Sequence, residues 1–151
     1  MSNPEVIRQL LSQIADIAAI AGARGEIDLE MGVFKINRGA AEGRSQMVFV
    51  RPTGEVGHGK PMISFFSIAM SYPKTKLMSA ISNKELLGLL IKNENMPFAR
   101  YGIQERENDY LVVASADYIL ETLDGDEFQA ATTFVAMAAD TYEATKGEDK
   151  L

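Results

Sequence analysis

A chain of 151 residues with 46% hydrophobic content has the size of one domain and is long enough to bury a core. Its 15 basic and 21 acidic residues leave a net charge of −6, spread along the chain, which argues against nucleic acid, where Lys and Arg neutralise phosphate. With no cysteine and one histidine, disulfides, thiolate metal sites, thiol nucleophiles and paired-histidine mechanisms are excluded.

The opening Met1-Ser2-Asn3-Pro4-Glu5 has no basic run ahead of its apolar residues, so no secretory signal is read. No segment approaches the roughly 18 consecutive apolar residues of a membrane span, and the cytoplasm is the expected compartment. The first helix is predicted from a capping box, Ser2 with Glu5, and from Pro4, which suits a first helical turn. Val6, Ile7, Leu10, Leu11, Ile14, Ile17 and Ala18 follow at helical spacing, and Gly22 is the stop.

The period then changes to two. Ile27, Leu29 and Met31 alternate with Glu26, Asp28 and Glu30, giving a strand with an apolar and an acidic face. Gly32 breaks the phase and Phe34 and Ile36 take the opposite parity, which predicts a bulge. A second strand covers Gln46 to Arg51. The third covers Met62 to Tyr72, with Phe66, Ile68, Met70 and Tyr72 on one face and Ser67, Ala69 and Ser71 on the other.

Ser82 with Glu85 opens a second helix through Leu86, Leu87, Leu89, Leu90 and Ile91, ending near Asn93 to Asn95 ahead of Met96-Pro97. Ala99 to Glu107 and Tyr110 to Ala116 form a hairpin turned at Asn108-Asp109. Asp124 with Glu127 caps a last helix from Asp126 to Lys146, whose stripe is Phe128, Ala131, Val135, Ala138 and Tyr142. Residues 147–151 are expected to be a frayed tail. The order α-β-β-β-α-β-β-α, with short connections, predicts one α+β domain over residues 1–151, its antiparallel sheet packed against helices mainly on one face.

No catalytic, cofactor or metal motif survives inspection. Gly54-Glu55-Val56-Gly57-His58-Gly59-Lys60 has phosphate-loop spacing, but Pro61 stands where a magnesium-binding hydroxyl belongs and a strand follows instead of a helix. A glycine-rich hairpin loop is the expected reading, with His58 facing solvent. Asp124-Gly125-Asp126-Glu127 lacks the ladder of a calcium loop and reads as capping. Glu26, Asp28 and Glu30 read as a guarded strand edge, and no serine sits in a nucleophile elbow.

Two features point to protein binding. Met31, Met47, Met62 and Met70 fall on strands, where thioethers either fill the core or build a tolerant apolar surface. In the last helix Phe134, Met137 and Thr141 widen the apolar arc beyond what one sheet face needs, so the helix is either deeply buried or touches a second subunit.

The run from Glu85 through Leu111-Val112-Val113 to Leu123-Asp124-Gly125-Asp126-Glu127-Phe128 resembles the second half of type III secretion chaperone-like proteins, including Tir chaperones and the YbjN-like sensory transduction regulators. The likeness covers nearly the whole chain in topology. It implies a small acidic, cytoplasmic, non-enzymatic homodimer without cofactor or metal, holding an extended peptide segment of a client protein. It places Leu86, Leu89 and Leu90 at a dimer or partner surface, with core packing as their other reading. The alternative is a small-ligand regulator or minor enzyme using a cleft between sheet and helices, with Arg100, Tyr101, Glu105 and Arg106 as its polar residues.

Overall fold

A computed structural model describes residues 3–75 and 81–148. Among them, α1 (Pro4–Ile20) leads into β1 (Gly25–Asp28), β2 (Val33–Gly39), β3 (Ser45–Val56) and β4 (Lys60–Pro73); then come α2 (Asn83–Asn95), β5 (Arg100–Glu105), β6 (Asp109–Ile119) and α3 (Gly125–Glu148). The strands form one antiparallel sheet in the order β1-β2-β3-β4-β6-β5. The fold is α+β, as the period changes predict.

The helix boundaries follow the caps. Ser82 Oγ accepts the Glu85 N–H at 3.2 Å. Asp124 and Glu127 cap each other reciprocally, at 2.8 and 3.2 Å. At α1 the observed cap is Asn3, which accepts from Glu5 N–H at 3.0 Å; the predicted partner Ser2 lies outside the described residues. The helix stops where Gly22 takes φ +74°, with Ala23 N–H returning to Ala18 O at 2.8 Å. α3 continues through Glu148; of the expected tail, residues 149–151 lie outside the described residues.

Three strand expectations need correction. The segment around Gly32 is a hairpin between two strands, not one bulged strand. Met31 N–H bonds the Asp28 carboxylate at 2.9 Å and Gly32 adopts φ +68°, closing a turn that sends β2 back along β1. Among the described residues six strands therefore stand where five are predicted. The β5–β6 turn also comes earlier than predicted, over residues 106–108, since Asp109 already pairs in β6.

The third correction lies in β4. The register shifts between Ile68 and Met70, so Ala69 is a bulge and the parity reverses there. Phe65 and Tyr72 consequently share a face: Phe65 packs edge-on to Phe128 of α3 with centroids 5.2 Å apart, and the Tyr72 hydroxyl meets that of Tyr142 at 2.9 Å. Phe66 and Ile68 point the other way, and Met70 joins the helix side.

The three α-helices among the described residues pack on one face around a single core containing Leu11, Ile14, Val50, Phe65, Val112, Leu89 and the whole predicted α3 stripe. Polar bonds tie α3 to the sheet beside it. Arg38 donates to Gln129 Oε1 and Thr133 Oγ1 at 2.7 and 2.6 Å, and Gln46 donates to Glu143. Arg44 grips the buried Asp140 through Nε and Nη2 at 2.8 and 2.9 Å. On the opposite face Phe49 stacks on Phe66 at 5.2 Å, with the Arg51 guanidinium 4.7 Å from the Phe66 ring centre.

Candidate functional site

Among the described residues the exposed large apolar side chains, Met47 apart, form two groups: Val6, Ile20, Ile27, Leu29 and Met31 on α1 and the β1–β2 hairpin, and a larger one around α2. The run Leu86-Leu87-Gly88-Leu89-Leu90-Ile91 puts leucines on more than one side of a helix, and the sheet covers only part of them. Leu89 is the one buried residue of α2. Leu86 packs against the core edge, whereas Leu87, Leu90 and Ile91 are 58%, 66% and 57% exposed. Their spacing of three and four residues makes one solvent-facing apolar stripe.

Two depressions flank the helix. One, of about 310 Å³, lies between α2 and β5 and is lined by Leu86, Leu89, Leu90, Asn93, Tyr101 and Ile103. The other, of about 410 Å³, opens towards α3 and is lined by Ile91, Met96, Pro97, Phe134, Met137 and Thr141 among others, with Tyr101 bordering both. The six predicted surface residues are thus brought round one helix, Leu86, Leu89 and Leu90 on one flank and Phe134, Met137 and Thr141 on the other. Leu89 is the exception in exposure, since it belongs to the core.

The rim holds an exposed aromatic under strain. Phe98 has φ +64°, a conformation that favours glycine and costs a bulky residue about 1–2 kcal/mol. Its ring sits 5.4 Å from Phe134 yet remains exposed. The kink comes from Pro97, whose carbonyl accepts the Ala99 N–H at 2.7 Å.

β5 is an edge strand, and one side chain closes part of its free edge. Asn93 of α2 accepts the Tyr101 N–H through Oδ1 at 2.6 Å and donates through Nδ2 to the Tyr101 carbonyl at 3.0 Å. Both Tyr101 backbone groups therefore point away from β6. By the alternation of an antiparallel ladder, those of Ile103 and Glu105 do the same. Among the described residues none bonds to the Ile103 groups on that side.

The polar side chains predicted for a ligand cleft do not converge. Arg100 pairs with Asp117, Arg106 pairs with Asp109, and Glu105 lies 3.5 Å from Lys74. The Tyr101 hydroxyl is turned inward, donating to the Ala138 carbonyl at 2.6 Å. The shifted proton affinities have structural causes. Arg106, then Ser71, holds Asp109 down to about 2, Arg44 lowers Asp140, and burial raises Tyr101 and Tyr142.

The remaining motifs disperse as well. Gly57-His58-Gly59 is an exposed hairpin tip between β3 and β4, and Lys60 pairs with Glu121 at 3.3 Å. Lys35 neutralises Glu26 and Asp28 at 3.4 and 3.1 Å on the β1 edge. Among the described residues no group of three or more His, Asp or Glu is placed to hold a metal ion. Nor do the strand methionines form one surface. Met31 lies in the β1–β2 turn, Met47 and Met62 on the open sheet face, and Met70 on the helix side.

Phe98, Asn93 and Ile103 escape sequence reading. Phe98 follows a proline and passes as turn filler, and Asn93 passes as a helix terminator; their roles depend on where α2 lands. Comparison with protein-family models and with curated proteins returns no match for this chain. No helix among the described residues is long and apolar enough to cross a membrane.

Proposed function

We propose that the chain is a non-enzymatic, cytoplasmic protein-binding domain that works as a homodimer and holds an extended segment of a partner polypeptide beside α2. The observation that carries this reading is the clustering of Leu87, Leu90, Ile91, Phe98, Ile103 and Met137, 42% to 66% exposed, around one helix. Contiguous apolar surface of this kind marks protein interaction sites. Leucine and methionine adapt to varied apolar side chains, which suits a client recognised by shape and hydrophobicity. The resemblance to secretion chaperone-like proteins supports the same reading.

The ligand-cleft alternative has apolar depressions beside α2 to draw on, but not its polar residues. The polar residues that would orient a metabolite are each engaged elsewhere, and Asn93, the polar side chain in the groove, is spent on β5.

The test is capture of a partner from the native host by immobilised protein, identified by mass spectrometry, in parallel with Leu90→Asp and Met137→Asp. Both positions are exposed, so unfolding curves should stay within about 0.5 kcal/mol of wild type. A reproducible partner, lost in both variants, is the expected result. No partner, or one retained equally by the variants, overturns the proposal.

A further inference from the structure

We propose that the outer edge of β5 is a docking edge for an extended polypeptide, kept closed by the Asn93 carboxamide standing in for the incoming strand's peptide group. This rests on the protein-binding reading and adds how that site is guarded.

The argument is geometric. In an antiparallel ladder a neighbouring residue offers its carbonyl to one N–H and its N–H to the same residue's carbonyl. Asn93 does both for Tyr101, at 2.6 and 3.0 Å, with a side chain. Two residues on, Ile103 presents the same outward pair, and no described residue takes it. An incoming strand would bond Ile103 first and reach Tyr101 only by displacing Asn93.

The groove bordered by Leu86, Leu90 and Ile103 runs beside this edge. A strand docked there would place alternate side chains in it, the usual division between main-chain affinity and side-chain selection. Asn93 also protects the free protein, since an uncovered strand edge invites aggregation. α2 is held to the rest of the fold by Leu89, the partly buried Leu86 and Met96, the Asn93 bonds and the Lys146–Glu85 ion pair.

The experiment uses the intact chain and a labelled peptide, acetyl-Lys-Val-Thr-Val-Thr-Val-Lys-amide, with an N-methylated copy that cannot bond as a strand. Asn93→Ala should bind the unmethylated peptide about tenfold more tightly than wild type, as expected for removing a pair of competing hydrogen bonds. The N-methylated copy should show no gain. Asn93→Asp, which keeps the acceptor for Tyr101 N–H but sets an oxygen against its carbonyl, should also gain affinity and decides the matter if Asn93→Ala folds poorly.

Amide exchange supplies the second readout. The Tyr101 N–H should be protected in wild type and fast in Asn93→Ala, and the peptide should slow Ile103 in both. Equal peptide affinity in wild type and variants, or a Tyr101 amide indifferent to Asn93, overturns the gate. Either result leaves the protein-binding reading intact if partner capture still depends on Leu90 and Met137. If capture fails while Asn93→Ala gains the peptide, the edge stands and the broader reading falls.

Discussion

The most telling single residues are those where local chemistry and burial disagree with what the backbone prefers. Phe98 sits at φ +64° and exposes its ring; stability alone would be served better by glycine. Phe98→Gly should therefore leave the unfolding free energy unchanged or raise it by about 1 kcal/mol, by relieving the left-handed strain. Partner capture should weaken, because the aromatic rim over Phe134 is gone. A large loss of stability in urea titration would mean that the ring is a packing element instead. The Arg44–Asp140 pair makes the opposite case. Asp140 is 3% exposed and bonded twice by one guanidinium, so Arg44→Ala strands a buried carboxylate and should cost about 1–3 kcal/mol near neutral pH. The pairing holds the Asp140 carboxyl below its ordinary value of 3.8. A group whose folded value is depressed stabilises above the unfolded value and loses that contribution as pH falls through the folded one. The wild type should lose stability progressively below pH 3.8, and Arg44→Ala should show a shallower fall. Parallel pH profiles for the two proteins would contradict this assignment.

At the scale of elements, α2 separates packing from function within one helix. Leu89→Ala should cost about 2–4 kcal/mol, because a buried leucine is removed from the core. Leu90, one residue on and 66% exposed, should be nearly neutral in denaturant titration when changed to Ser, yet weaken partner binding. Similar destabilisation at both positions would show that α2 is packed more deeply than its exposure indicates. That contrast explains which elements were readable beforehand. The caps at Ser82 and Asp124 are local, formed by residues three apart, so sequence discloses them. The α3 stripe from Phe128 to Tyr142 was readable because helical period and burial coincide. The β1–β2 hairpin was not, since Gly32 in an alternating run serves a bulge or a turn equally well until β3 pairs with β2. The parity reversal at Ala69 is likewise invisible locally. Only the register against β6, set by residues more than forty positions away, moves Tyr72 to the side of Phe65. Phe134, Met137 and Thr141 stood out in the sequence as a widened apolar arc and Leu86, Leu89 and Leu90 through the resemblance alone, but the Asn93–Tyr101 closure depends on where a separate helix docks.

For the molecule as a whole, one unbalanced feature is that no described residue covers the outer face of α2. Cyclic two-fold pairing places the same patch on both partners, so the stripe Leu87, Leu90 and Ile91 could pack against its own copy. The magnitude can be bounded. Three side chains from each copy, each about half exposed, gain on the order of 1 kcal/mol apiece on burial. That total only meets the lower part of the roughly 4–15 kcal/mol that association costs in lost freedom. A dimer held by this stripe alone should thus be concentration-dependent, and a tight one must also enlist Ile103, Phe98 or Met137. Sedimentation velocity over a wide concentration series should show monomer converting to dimer. Leu87→Asp with Leu90→Asp should hold the chain monomeric, with an unfolding midpoint that matches the wild type at low concentration and no longer rises with protein concentration. The apolar contact also predicts little response to a tenfold change in salt, unlike an interface built on charges, which weakens as ions screen it. A chain that stays monomeric at high micromolar concentration removes the dimer, and the stripe then belongs to the client.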